Sequence, residues 1–123
     1  MEIGSHDATE PERFAIGIRD EPIGTVVAVT GELDLLSAPQ LRTALDALLP
    51  ANARHIAIDL SATTFMDSAG VHALLHARDR ASGHLAVISG GGPARHVIEL
   101  LGLTEALNVV PSIDAYRSRR AGG

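Results

Sequence analysis

Ser68 is the residue best placed to do chemistry, within the run Phe-Met-Asp-Ser-Ala-Gly at positions 65–70. This run separates a predicted strand from a predicted helix, and a serine at a helix start can cap a free backbone N–H. The same position suits an anion, because the backbone donors and the helix dipole favour negative charge there. Ser68 is therefore a candidate for three roles: helix cap, nucleophile, or acceptor of a phosphate group.

Acidic residues are expected to surround this serine. Sites in open parallel α/β sheets gather at the carboxyl ends of strands. Three such ends can be identified, at residues 32–37, 63–70 and 89–93. They should share one edge of the domain, where Glu32, Asp34 and Asp67 form an acidic rim around Ser68. Two alternatives remain open: Asp34 could serve a turn, and Asp67 could be a second cap or contact a partner or magnesium.

Other patterns give little support for catalysis or metal binding. His72 and His76 lie four residues apart with Asp79 nearby, which is a metal-ligand spacing, but no third ligand is evident. The three glycines at 90–92 lack the lysine of a phosphate-binding loop and are typical of a flexible connection. Residues 66–70 also lack the Gly-x-Ser-x-Gly of a hydrolase nucleophile. We therefore predict no catalytic residue, no metal and no cofactor.

Composition narrows the class of protein. The 123 residues fit one domain, and 46% hydrophobic with 2% aromatic residues predicts an aliphatic core. A net charge of −5 argues against direct binding to nucleic acid and favours a basic protein partner. There is no cysteine, no apolar run of the roughly 18 residues that span a membrane, and no signal peptide. We expect a soluble cytoplasmic protein without membrane contact.

Strands and helices alternate along most of the chain. Apolar periodicity predicts the order β-β-α-β-α-β-α-(β)-α, with a short link making the first two strands an antiparallel hairpin. The predicted strands are 14–19, 25–30, 55–60 and 84–89, with a short last strand at 109–110. The predicted helices are 38–49, 68–80, 94–101 and 112–118. This alternation favours an α/β fold with a largely parallel sheet.

The predicted element boundaries follow local signals. Ser37 is a candidate cap for the first helix, with Pro39 in its first turn. Pro50 should end that helix, and Gly83 should end the second. We expect a folded domain at 12–117, between an unstructured leader or cloning remnant at 1–11 and a frayed tail at 118–123.

Two motifs, in this order, carry a resemblance to a known family. The first is Thr-Gly-Glu-Leu-Asp at 30–34, and the second runs from Asp-Leu-Ser at 59–61 to Asp-Ser-Ala-Gly at 67–70. Together they resemble the STAS family, and more narrowly the bacterial anti-sigma factor antagonists. The resemblance covers roughly residues 12–117. It implies a small single α/β domain with a mixed four- to five-stranded sheet and helices packed mainly on one face.

The resemblance also implies a function and a set of partners. Unphosphorylated family members bind an anti-sigma factor that is also a serine kinase, and this releases a sigma factor for transcription. Phosphorylation of the first serine of an Asp-Ser-Ser-Gly motif, which maps to Ser68, ends the binding, and a metal-dependent serine phosphatase restores it. The second serine falls on Ala69, a departure from the motif, and His72 is another departure. The implied partner surface comprises Glu32, Asp34, Asp67, Ser68, Ala69, Gly70 and His72.

Two other classes of function are weighed against this switch. A serine hydrolase would need a nucleophile motif and an oxyanion loop, which the sequence lacks. A STAS domain could also act as a scaffold subunit of a stress-sensing complex or of a lipid transport system. The sequence leaves the oligomeric state open between a monomer and a weak dimer.

Overall fold

The computed structural model describes residues 13–49, 55–81 and 84–122. Within them the chain forms six strands and four helices. The strands are β1 (Ala15–Glu21), β2 (Gly24–Leu33), β3 (Ile56–Asp59), β4 (Thr63–Met66), β5 (Leu85–Ile88) and β6 (Val109–Val110). The helices are α1 (Ala38–Leu48), α2 (Ser68–Ala81), α3 (Pro93–Leu100) and α4 (Ile113–Gly122). The predicted leader at 1–11 and the predicted helix ends at Pro50 and Gly83 lie outside the described residues.

The strands form one mixed sheet in the order β1-β2-β3-β5-β6, and β4 also pairs with β2. The β1–β2 pair is an antiparallel hairpin, while the other pairs are parallel. This confirms the predicted α/β fold. The described sheet has six strands, however, where four to five were expected. The extra strand is β4, which lies in a segment with no predicted strand. β3 pairs with β2 only at residues 25–28, so the end of β2 is free to pair with β4.

The sheet separates a large core from a small one. Alternate residues of β3 face opposite sides, with Ile56 and Ile58 in the large cluster and Ala57 in the small one. The large cluster holds the buried faces of α1, α2 and α3, whereas α4 covers the other face with Tyr116. Helices therefore pack mainly on one face, as predicted. Each fully buried Val, Leu or Ile side chain contributes about 1.5–3 kcal/mol of transfer free energy.

Helix α4 continues to Gly122, past position 118 where a frayed tail was expected. Its arginines hold it against the hairpin: Arg117 Nη2 lies 3.0 Å from Glu21 Oε2, and Arg120 Nε donates to the carbonyl of Ile23 at 3.4 Å. Basic residues in the last turn also complement the helix dipole. These contacts come from the distant hairpin, so local composition does not reveal them. Among the helices described, none has the length and apolar character that crossing a membrane requires.

Candidate functional site

The ends of β2 and β4 meet the start of α2 at one junction. Leu33 pairs with Met66, and the N–H of Asp67 donates to the carbonyl of Leu33 at 3.3 Å. Gly70 is buried against both side chains: a Cβ added there would lie 2.7 Å from Met66 Cγ and 2.9 Å from Leu33 Cγ. Only a residue without a side chain lets α2 begin this close to the sheet. The predicted convergence of these two strand ends is therefore confirmed.

Asp67, and not Ser68, caps helix α2. Asp67 Oδ1 accepts hydrogen bonds from the N–H groups of Ala69, at 2.9 Å, and Gly70, at 3.3 Å. Ser68 is the first residue of the helix, so the expectation that its hydroxyl would act as the cap is wrong. A carboxylate one residue earlier satisfies the same donors and adds a charge that the helix dipole favours. The Ser68 side chain is exposed and makes no hydrogen bond to any residue that the structure describes.

Asp34 organises the turn at 34–37 between β2 and α1. Its Oδ1 accepts hydrogen bonds from the N–H groups of Leu36, at 3.0 Å, and Ser37, at 3.1 Å. These bonds, the one from the Ser37 N–H foremost, lower the pKa of Asp34. Ser37 was predicted to cap α1, but its side chain makes no capping hydrogen bond to that helix. Its hydroxyl instead accepts from the Asp34 N–H at 2.9 Å and donates to the Glu32 carbonyl at 2.6 Å.

This fixed turn presents large apolar side chains to solvent. Leu35 is 75% exposed and Leu36 is 85% exposed. Phe65, which pairs with the exposed Glu32 across β2 and β4, is 47% exposed. We call Leu35, Leu36 and Phe65 the apolar rim. These residues were not predicted from the sequence, although two leucines in a turn, outside the apolar face of either neighbouring element, were a usable signal.

A shallow groove of about 210 Å³ lies between α1 and the first turn of α2. We call it the α1–α2 groove, and its lining comprises Leu35, Ala38, Pro39, Arg42, Ala69 and His72. The small side chain of Ala69 leaves room at the start of α2. Arg42 and His72 supply donors on an otherwise apolar surface. The groove can accept an apolar side chain beside an acidic or hydrogen-bond-accepting group.

The third predicted strand end lies against the same region. Gly90, which has a φ of +64°, packs so closely on the turn before β4 that an added Cβ would lie 2.8 Å from the Cα of Ser61. Ser61 is held there because its N–H donates to Asp59 Oδ1 at 2.9 Å. Thr63 belongs to β4 and donates to the Val29 carbonyl at 3.0 Å. The three strand ends therefore share one edge.

The structure places the predicted site residues as follows. Glu32 is exposed one residue before the end of β2, Asp34 is half-buried in the turn, and Asp67 is half-buried at the helix cap. Ser68 and His72 are exposed on α2, and Ala69 and Gly70 are half-buried and buried beside them. All seven thus lie around the junction of β2, β4 and α2.

His76 lies away from this junction, with its Nε2 3.6 Å from Asp46 Oδ1 on α1. Across the described ranges, no three His, Asp or Glu side chains are grouped to hold a metal ion.

The fold and this edge define a class of protein. The family model described as "Mlab, STAS domain" matches residues 16–111. The chain therefore belongs to the STAS domain family. The match covers all six described strands except the first residue of β1, together with helices α1 to α3.

Within this family, the chain is similar to individual proteins described as anti-sigma factor antagonists. The chain is 28% identical over 115 residues to the anti-sigma-F factor antagonist RsfB of Mycobacterium tuberculosis, covering 91% of this chain and 94% of RsfB. It is similar to the crystal structure of an anti-sigma factor antagonist from Mycobacterium paratuberculosis, with a TM-score of 0.81, 28% identity, and coverage of 89% of this chain and 95% of that one. The phosphorylated form of SpoIIAA, a Bacillus cell fate determinant, shares the fold, with a TM-score of 0.63, 21% identity, and coverage of 85% and 98%.

Proposed function

We propose that this protein is an anti-sigma factor antagonist controlled by phosphorylation of Ser68. In its unphosphorylated form it binds an anti-sigma factor with serine kinase activity and so releases a sigma factor. Transfer of the ATP γ-phosphate to the Ser68 hydroxyl ends the binding, and a metal-dependent serine phosphatase reverses it. Family membership and the two mycobacterial relatives support the antagonist role.

The state of the Ser68 hydroxyl carries this proposal. Asp67 supplies the helix cap, so the hydroxyl has no structural task among the described residues. It is exposed at the start of a 14-residue helix, where the dipole stabilises an added phosphate. A kinase can therefore modify it without first breaking a hydrogen bond of the fold.

The surroundings of Ser68 suit a binding surface. The apolar rim and the α1–α2 groove adjoin the start of α2, and both present apolar groups that a partner would bury. The groove residues Arg42 and His72 offer donors to an acidic or carbonyl group of that partner. We assign Glu32, Asp34, Asp67, Ala69, Gly70 and His72 to this surface together with Ser68.

Phosphorylation would act through charge. It adds about −1.5 to −2 charges beside the Asp67 carboxylate, on a protein whose net charge is already −5. Enclosing a dianion in an interface without a matched cation costs several kcal/mol. We therefore expect phosphorylation to weaken partner binding by about two to three powers of ten.

Site-mapping mass spectrometry after incubation with a candidate kinase and ATP tests this proposal. We expect one phosphate on Ser68 and none in the Ser68→Ala variant, which should still bind the unphosphorylated-state partner. Ser118→Ala is a matched control, because Ser118 is an exposed serine on α4. Stoichiometric phosphorylation of Ser68→Ala would contradict the assignment.

A further inference from the structure

A second cleft lies at the opposite edge of the sheet, where β3 and β5 begin. It has a volume of about 200 Å³ and lies between these strand starts and α4. We call it the amino-edge cleft; its polar lining comprises His55, His84, Asn108, Tyr116, Arg119 and Arg120. We propose that this cleft binds an oxyanion, as free phosphate or as the phosphate group of a small molecule.

Charge is the first support for an anion. Two guanidinium groups and two imidazoles line the cleft, and none of its lining residues that the structure describes is a carboxylate. Arg117, on the same helix, differs because it is already paired with Glu21. Guanidinium groups bind the oxygens of phosphate through two parallel hydrogen bonds, which suits Arg119 and Arg120 to this role.

An unsatisfied polar group is the second support. His84 Nδ1 is buried and has no hydrogen-bond partner among the described residues. Buried donors and acceptors are nearly always paired in folded proteins, so a group left open at a cleft indicates a missing partner. An oxyanion could accept a hydrogen bond from this nitrogen when it is protonated.

The two histidines are held so that their rings meet in the cleft. The His55 carbonyl accepts from the Thr25 N–H and the His84 carbonyl from the Ile56 N–H, both at 2.9 Å. The rings then contact edge to face, with centroids 4.9 Å apart and an interplanar angle of 75°. Burial, and next the positive charge of Arg120, lowers the pKa of His55. A bound anion would offset the positive charge of Arg120 beside this ring.

The size and place of the cleft define its ligand. A water molecule occupies about 30 Å³ in the liquid, so the cleft has room for a phosphate group and a small attached fragment. β3 and β5 each run four residues, about 13 Å, from the cleft to the edge that carries Ser68. The two sites are therefore separate, and this inference does not rest on the proposed function.

Titration of the intact protein with phosphate at constant ionic strength tests the inference. The chemical shifts of the His55 and His84 imidazoles are followed by NMR. We expect saturable chemical-shift changes at both rings. The double variant Arg119→Gln/Arg120→Gln should bind phosphate at least tenfold more weakly. Arg78→Gln should bind like the native protein, because Arg78 is on α2 and contacts Asp79. Tighter binding of glycerol phosphate than of inorganic phosphate would identify a phosphorylated small molecule, and equal binding would identify free phosphate.

The single variant Arg119→Gln distinguishes loss of phosphate binding from loss of the fold. Arg120 donates to the Ile23 carbonyl, so its replacement could loosen α4. Arg119 is exposed, and Arg119→Gln should keep the native melting temperature while still weakening phosphate binding severalfold. The inference is overturned if the imidazole shifts do not saturate, if both arginine variants bind like the native protein, or if the shifts centre on the start of α2.

Discussion

Adjacent residues divide two tasks at the start of α2. The Asp67 carboxylate holds the first turn, with hydrogen bonds to the N–H groups of Ala69 and Gly70. The Ser68 hydroxyl is left exposed. In a helix capped by the serine itself, phosphorylation would remove the cap as it adds charge. Here the two effects are separated, so substitutions can address them one at a time.

Substitution of Ser68 should separate charge from size. Ser68→Asp places one negative charge at the proposed modification site, and we expect it to weaken binding to the anti-sigma partner by at least about tenfold. Ser68→Asn has nearly the same shape without the charge and should bind more tightly than Ser68→Asp. Calorimetry with the purified partner measures both. Equal affinities for the two variants would show that charge is not the switch.

Substitution of Asp67 should separate capping from charge. Ser, Thr, Asp or Asn at a cap stabilises a helix by about 1 kcal/mol relative to alanine. Asp67→Ala should therefore lower the free energy of unfolding by about that amount, whereas Asp67→Asn should stay within a few tenths of a kcal/mol of the native protein. Urea denaturation measures the difference. A stable Asp67→Ala protein would mean that another group caps α2.

At the scale of elements, the junction of β2, β4 and α2 depends on close packing. Much of this arrangement can be predicted from the sequence: the hairpin, α1, α2 and the shared edge of strand ends all follow from periodicity and turn residues. β4 does not, because a four-residue strand has too short a pattern and exists only where β2 extends beyond β3. Likewise, the sequence position of Ser37 favours a helix cap, but its hydroxyl is hydrogen-bonded to the carboxylate of Asp34 and the carbonyl of Glu32 instead.

Gly70→Ala should disrupt this junction. The new Cβ would lie 2.7 Å from Met66 Cγ and 3.0 Å from the Leu33 carbonyl, so α2 must shift outward. Overpacking of this kind costs about 1–3 kcal/mol of stability, and the displaced helix start should also weaken partner binding. Gly17→Ala is a matched control, because no atom lies within 4 Å of its added Cβ. Urea midpoints that fall equally in both variants would contradict this account.

At the scale of the whole molecule, distant segments are joined by charge. Glu21 in the hairpin contacts Arg117 on α4, and the hydrogen bond from Arg117, followed by that from Arg19, lowers the pKa of Glu21. The hydrogen bonds in the 34–37 turn lower the pKa of Asp34 in the same direction. A carboxyl group whose pKa is lower in the folded state stabilises the protein at neutral pH. That contribution is lost as the pH falls through the folded-state pKa.

Glu21→Gln should reduce the acid sensitivity of the fold. At pH values below about 4, we expect the free energy of unfolding of the native protein to decrease, because Glu21 and Asp34 take up protons. The variant should be less stable at pH 7 and should converge on the native protein at acidic pH, once Glu21 of the native protein is protonated. Glu105→Gln, at an exposed site without an ion pair among the described residues, should follow the native curve. Parallel curves for native and Glu21→Gln protein would exclude a role for this contact.

Strand β2 pairs along one side with β1, and along the other first with β3 and then with β4. Its central amides are therefore shielded by neighbours on both sides, and they can exchange with deuterium only when the sheet itself separates. The surface around Ser68 is built on the end of this strand, in the part of the molecule that opens least often. A regulator built this way would pass its signal through the chemistry of its surface, while the backbone beneath keeps the same exchange rates in both states.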